Sequence, residues 1–156
     1  MEEEDAAAVE YRLMRALNTF STVENAETQA LIRLALRQGR FLSRNPDNKA
    51  RIDNISKTAD LLIESTEKIM KSWDEVNEAV MKLQKTYSDY SIKQIDSIAK
   101  ARNRFENFIG RITGITDILE GVLQEVEDQE AAMKIIEKLG TVREYEKKLR
   151  QSGPAR

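Results

Sequence analysis

IDNISKTADLLIESTEKIMKSWDEVNEAVMKLQKTYSDY, residues 52–90, is the stretch that decides the architecture. Taken in alternating steps of three and four, it presents Ile52, Ile55, Ala59, Leu62, Thr66, Ile69, Trp73, Val76, Val80, Leu83, Tyr87 and Tyr90. Only Thr66 in that series lacks an apolar or aromatic side chain. A 3-4 repeat sustained this far puts one sticky stripe along a long helix, the seam of a coiled coil or narrow bundle.

A second seam follows: Ile98, Ala101, Phe105, Phe108, Ile112, Ile115, Leu119, Val122, Val126, Gln129, Met133 and Ile136, with Gln129 its only polar member. Gly110, Gly114 and Gly121 lie off this seam. Gly110 and Gly114 form a G-x-x-x-G pair, but no apolar 20-mer surrounds it, so it reads as close helix approach and not as a membrane dimer motif.

Punctuation divides the chain. Asn45-Pro46-Asp47 combines a capping residue, a proline suited to the first helical position and an acid suited to the first turn. A helix is expected from Pro46 to about Tyr87. Ser91-Ile92-Lys93-Gln94 has the form of a capping box, so a hairpin turn is expected at 88–91, with one continuous helix through that point as the alternative. The next helix should cover 91–139 and end at Gly140. Thr141-Val142-Arg143-Glu144 then caps a short helix at 142–150.

Ahead of Asn45, Val9, Leu13, Ala16 and Phe20 mark a helix at 5–20. Ser21-Thr22-Val23-Glu24 reads as another capping box opening a helix at 22–44. A single helix through 5–44 is the alternative, because Val23, Ala30, Leu34 and Phe41 roughly continue the stripe. Gly39 suggests a close packing contact. Residues 1–4 and 152–156 read as loose ends.

Folding the two seams about 88–91 sets Trp73 level with Phe105, and Leu62 level with Asp117 and Ile118. Extra apolar residues flank the seams at Leu61, Ile63 and Met70 and at Ile109, Ile118 and Leu123, so further helices should cover that part. The flanks between Val76 and Arg104 are mostly polar. The expected fold is therefore all-α: one domain over 1–156, an elongated antiparallel helical bundle from which 76–104 projects as a bare two-helix coiled-coil hairpin.

Composition narrows the chemistry. The 156 residues contain no Cys and no His. That removes disulfides, thiol nucleophiles and Cys-ligated metals, and also the usual general base and the commonest metal ligand. A di-iron bundle enzyme, which needs two Glu-x-x-His pairs, is excluded. The net charge of −2 gives no overall pull toward nucleic acid or anionic lipid. No basic-then-apolar leader and no membrane-length apolar run is visible, so a soluble cytoplasmic protein is expected, with export lacking an N-terminal signature left open.

The expected function is accordingly non-enzymatic. The chain reads as a helical interaction protein (an adaptor, assembly scaffold, secretion-type chaperone or structural component of a larger complex) that binds partners through coiled-coil surfaces. No cofactor or metal is expected. The expected partner is a protein, a second copy included, as a homodimer or larger assembly; neither nucleic acid nor a membrane is the expected one.

Candidate partner-binding residues are Tyr87 and Tyr90, with Lys82, Lys85 and Lys93 near them, at the tip of the expected arm. The simpler reading has both rings closing the hairpin end. The alternative function is nucleic-acid binding by Arg33, Arg37, Arg40 and Arg44, which share one helix face. Against it, the acids of the later seam helix (Asp117, Glu120, Glu125, Glu127, Asp128 and Glu130) should neutralise that stripe. Those acids as a cation site is the weaker reading, since no EF-hand loop is present.

Circular dichroism should show above roughly 75% helix with no appreciable strand, because every long stretch has the helical period; a clear strand signal would sink the scheme.

Overall fold

The computed structural model describes residues 5–87 and 89–151. Four helices carry nearly all of them, and no strand occurs among the described residues. α1 spans Ala6–Ser43, α2 Asn48–Thr86, α3 Ile95–Gln124 and α4 Gln129–Gln151. The chain is an all-α helical bundle, as its periodicity requires.

The seam of α2 is the one read from the sequence. Ile55, Ala59, Leu62, Thr66, Ile69, Trp73, Val76, Val80 and Leu83 are all buried. Thr66 fits the apolar stripe because its hydroxyl donates to the Leu62 carbonyl of its own helix at 2.7 Å. The helix starts at Asn48, two residues after Pro46. Asp47 is the cap, its Oδ1 accepting the Ala50 N–H at 2.8 Å. Asn45 takes the left-handed conformation, φ 52°, that ends α1 and turns the chain.

α1 is a single helix of 38 residues, and the expected break at Ser21–Glu24 does not form. A capping box requires both side chains to turn back onto the backbone. Here they are committed elsewhere: Arg104 Nη1 of α3 donates to Ser21 Oγ at 3.2 Å and lies 3.9 Å from Glu24. Thr22 donates to the Asn18 carbonyl one turn back, as it would in any helix interior. Glu24 and Gln38 are buried in the α1 stripe, which is why its apolar pattern looked interrupted.

The later part of the chain divides at a different place. The helix expected over 91–139 ends at Gln124, and α4 begins at Gln129, with the Asp128 carboxylate accepting the Ala131 N–H at 3.1 Å. Val126 stays buried in the turn, while Met133 and Ile136 fall outside the core. The core stripe of α4 is instead Ala132, Ile135, Leu139, Val142, Glu146 and Leu149. Gly140 lies mid-helix, and the short helix expected at 142–150 is the end of α4. At the other end, α3 starts at Ile95 without a side-chain cap, so the capping box expected at Ser91 does not form.

Cross-helix contacts give the arrangement. Gln38 to Thr58 (2.6 Å) and Ser65 to Glu27 (2.7 Å) hold α1 and α2 antiparallel. Arg150 to Thr113 (3.3 Å) and Arg143 to Glu120 (3.3 Å) do the same for α3 and α4. The Lys93 N–H donates to Glu10 at 2.8 Å and Arg104 to Ser21 at 3.2 Å, both across 83 residues, so α3 runs parallel to α1. Lys138 reaches Ser56 at 3.0 Å and Tyr145 donates to Glu67 at 2.9 Å, so α4 runs parallel to α2. Around the bundle the order is α1, α2, α4, α3, with α2 facing α3 across one diagonal and α1 and α4 at opposite corners without contact.

The pairs Lys138–Asp60 and Tyr145–Glu67 share one offset, 78 residues. Carried on, it sets Gln151, the last described residue of α4, level with Trp73. Four helices therefore pack at the end holding the 44–47 and 125–128 connections, and three at the other. No bare arm exists. Val76, Val80 and Leu83 share one core with Val9, Leu13 and Leu17 of α1. Because α1 runs unbroken over 38 residues against 39 in α2, it covers the length that a broken α1 would have left exposed.

Trp73 sits at this junction, fully buried, with its ring stacked on Phe105 at 4.5 Å and tilted against Phe20 at 5.0 Å. Its indole Nε1 meets no acceptor among the described residues. Trp73→Ala should cost about 3–5 kcal/mol in chemical denaturation. Trp73→Phe keeps a stacked ring and deletes the unsatisfied donor, so it should cost clearly less. Equal losses for both would show that stacking is not what the position supplies.

Candidate interaction surface

Without a projecting arm, the expected tip has a different character. Tyr87 and Tyr90 are half-buried against the core and close the three-helix end, where the Tyr90 N–H bonds the Tyr87 carbonyl at 2.9 Å. Lys82 is half-buried and Lys85 exposed on the last turns of α2, and the exposed Lys93 is anchored through its backbone to Glu10. Ser88, within the expected turn, lies outside the described residues, as do 1–4 and 152–156. The structure brings these side chains to one end of the bundle without making a protrusion of them.

Arg33, Arg37, Arg40 and Arg44 do share one exposed face of α1. The expected neutralisation by the acids of α3 does not occur. Arg143 of α4 takes Asp117 and Glu120 and also reaches Glu146 at 3.4 Å. The hydrogen bond it donates to Glu120, reinforced by Asp117 and opposed by burial, pushes the pKa of this guanidinium up. Asp117 and Glu120 face the α4 side of α3, whereas α1 packs on its other side; Glu125, Glu127 and Asp128 lie in the connection after α3, and Glu130 is on α4. Among the described residues, no ion pair reaches the four arginines.

Beside that stripe the surface is apolar. Leu31, Ile32, Ala35 and Leu36 of α1 and Arg111, Gly114, Ile115 and Ile118 of α3 line a groove of ≈ 370 Å³. Leu36 is 55% exposed and Ile118 58%. The cause is local: Ala35 and Gly114 line the groove with no more than a methyl group and a bare Cα, which leave the space between the helices unfilled. Ile118 and Leu61 carry the flanking apolar character that was expected to lie under further helices, yet both are exposed, while Ile109 and Leu123 of the same set are buried.

Gly110, Gly114 and Gly121 stand on the exposed face of α3. A Cβ added at any of them, or at Gly39, meets nothing within 4 Å. The close approach these glycines suggested is not made within the chain. Glycine inside a helix costs about 0.5–1 kcal/mol relative to alanine, and nothing in the fold recovers that here.

No group of three or more potential ligands among the described residues is placed to hold a metal ion. No helix among them is long and apolar enough to cross a membrane. The sequence held a signal for the groove: Leu36 and Ile118 fall off the seams, on flanks whose only possible cover was another helix. Comparison with protein-family models, curated proteins and solved structures returns no match.

Gly114→Ala should stabilise the isolated protein by about 0.5–1 kcal/mol, a rise in melting temperature of roughly 1–4 °C. A fall in melting temperature would mean that the backbone at Gly114 is already in close contact.

Proposed function

We propose that this chain is a non-enzymatic helical interaction protein, whose groove between α1 and α3 receives a helical segment of another polypeptide. The observation that carries the reading is the groove itself. Leu36 and Ile118 expose apolar surface side by side in a concave space between two helices, and such grooves suit the apolar face of an amphipathic helix. The bare backbone at Gly110 and Gly114 supports the same reading, because it lets a second helix approach closely. The chain offers neither imidazole nor thiol, which supports a binding role over a catalytic one. Residence in the cytoplasm accompanies this reading and rests on the sequence alone.

A second reading, nucleic-acid binding, is favoured by one specific observation. Arg33, Arg37, Arg40 and Arg44 remain exposed without a carboxylate partner among the described residues. Phosphate contacts would make such binding strongly salt-dependent and indifferent to the apolar floor.

Affinity capture from the native source with the wild-type chain and with Leu36→Glu separates the two. A protein retained by the first and lost by the second is the expected result, with both baits equally helical by circular dichroism. Retention of nucleic acid by both baits, abolished by salt and by Arg37→Glu, would favour the second reading. Identical retained proteins on both baits would remove the groove from the account.

A further inference from the structure

The outward face of α4 is the counterpart of the groove. Met133 is 55% exposed and Ile136 39%, and Gly140 lies beside them. Along one edge of this apolar band run Glu130, Glu137 and Glu144, spaced by sevens and all exposed. Among the described residues none of the three takes part in an ion pair. The outward face of α1 has the same two-band plan with the opposite charge: Ile32, Leu36 and Gly39 form an apolar band, edged by Arg33, Arg37, Arg40 and Arg44.

We propose that the groove between α1 and α3 receives the outward face of α4 from a second copy of the chain. The proposal rests on the groove reading above and names its occupant. Helix geometry fixes the orientation. On both helices the charged band lies on the same rotational side of the apolar band. Two such faces bring apolar to apolar and acid to base only when the helices run antiparallel. With Leu36 opposite Ile136, Gly39 falls opposite Met133 and Ile32 opposite Gly140. Glu137 then lies between Arg33 and Arg37, and Glu130 between Arg40 and Arg44.

The geometry of the assembly follows. In one chain α1 and α4 already run in opposite directions at opposite corners. Antiparallel docking between copies therefore leaves all copies pointing the same way, each using its groove on one side and its α4 on the other. Such a heterologous contact does not close in a pair; it continues from copy to copy. A phosphate backbone would match the arginines equally well but would leave Leu36 and Ile118 uncovered.

Sedimentation velocity of the full chain at rising concentration tests this, with Arg37→Glu and Glu137→Arg as the informative variants. The wild type should associate beyond a dimer, more weakly at high salt. Each variant alone should associate about tenfold more weakly, because an attraction becomes a repulsion. An equimolar mixture of the two should recover association, since each variant supplies the surface that the other lacks. Leu36→Glu should abolish association throughout.

A wild type that stays monomeric at every concentration, or associates regardless of these substitutions, overturns the proposal. So do a mixture that fails to recover, and an oligonucleotide bound by the monomer through Arg37. A monomer that still retains a different protein in a Leu36-dependent way overturns only the second copy as occupant and leaves the groove reading standing.

Discussion

The rings of Phe20, Trp73 and Phe105 come from three different helices and meet where the bundle changes from four helices to three. Two of them, Trp73 and Phe105, belong to α2 and α3, which face each other across the diagonal. Contact across a diagonal needs large side chains, and stacked rings fill that span while adding a geometric preference of their own. The stack thereby sets the level of α3 against α2. Through Phe20 it also sets the level of α1. Val80 and Leu83 beyond it, and Leu62 and Ile55 before it, are buried in a register that the rings define.

Polar contacts then decide which corner each helix takes. Arg104 reaches Ser21 and Glu24, and the Lys93 N–H reaches Glu10; together they draw α3 alongside α1. Arg143 gathers Asp117, Glu120 and Glu146 and fastens α4 to α3. The second of these associations has a consequence on the far side of the molecule. Asp117 and Glu120, committed to Arg143, are not available to α1, and the other acids lie past the end of α3, so the arginine stripe reaches the surface uncompensated beside an apolar groove. Electrostatics that hold the bundle together and electrostatics that could recruit a partner are in this way linked.

The three exposed glycines of α3 fit the same picture from the side of stability. Ordinary folding would favour alanine at each, since no neighbour is close enough to object. A helix kept bare along one face is weaker in isolation and more accommodating to a second helix. The same surface therefore carries a stability cost, an apolar groove and an unneutralised charge stripe within a few turns.

Much of this was legible in the sequence. The α2 seam and the all-α class follow from periodicity, because a 3-4 repeat over so many turns has no other regular conformation to occupy, and the shared level of Trp73 and Phe105 follows from folding the two seams about the polar break at 88–91. The chain's lack of His and Cys bounded its chemistry in the same direct way. The helix boundaries at 21, 91, 124 and 140 did not follow. Ser21, Thr22 and Glu24 spell a cap, yet whether they serve the backbone or an arginine of another helix depends on Arg104, 80 residues or more away in sequence and adjacent only in the fold. Val126, Met133 and Ile136 continue the repeat on paper, but Asp128 starts a new helix whose buried stripe includes the polar Glu146. Local pattern determined which residues form helices and which face of α2 is buried. The tertiary structure alone decided which helix covers which, where the acids of α3 are spent, and therefore which charges and apolar side chains remain for a partner, because those outcomes depend on long-range competition for the same side chains.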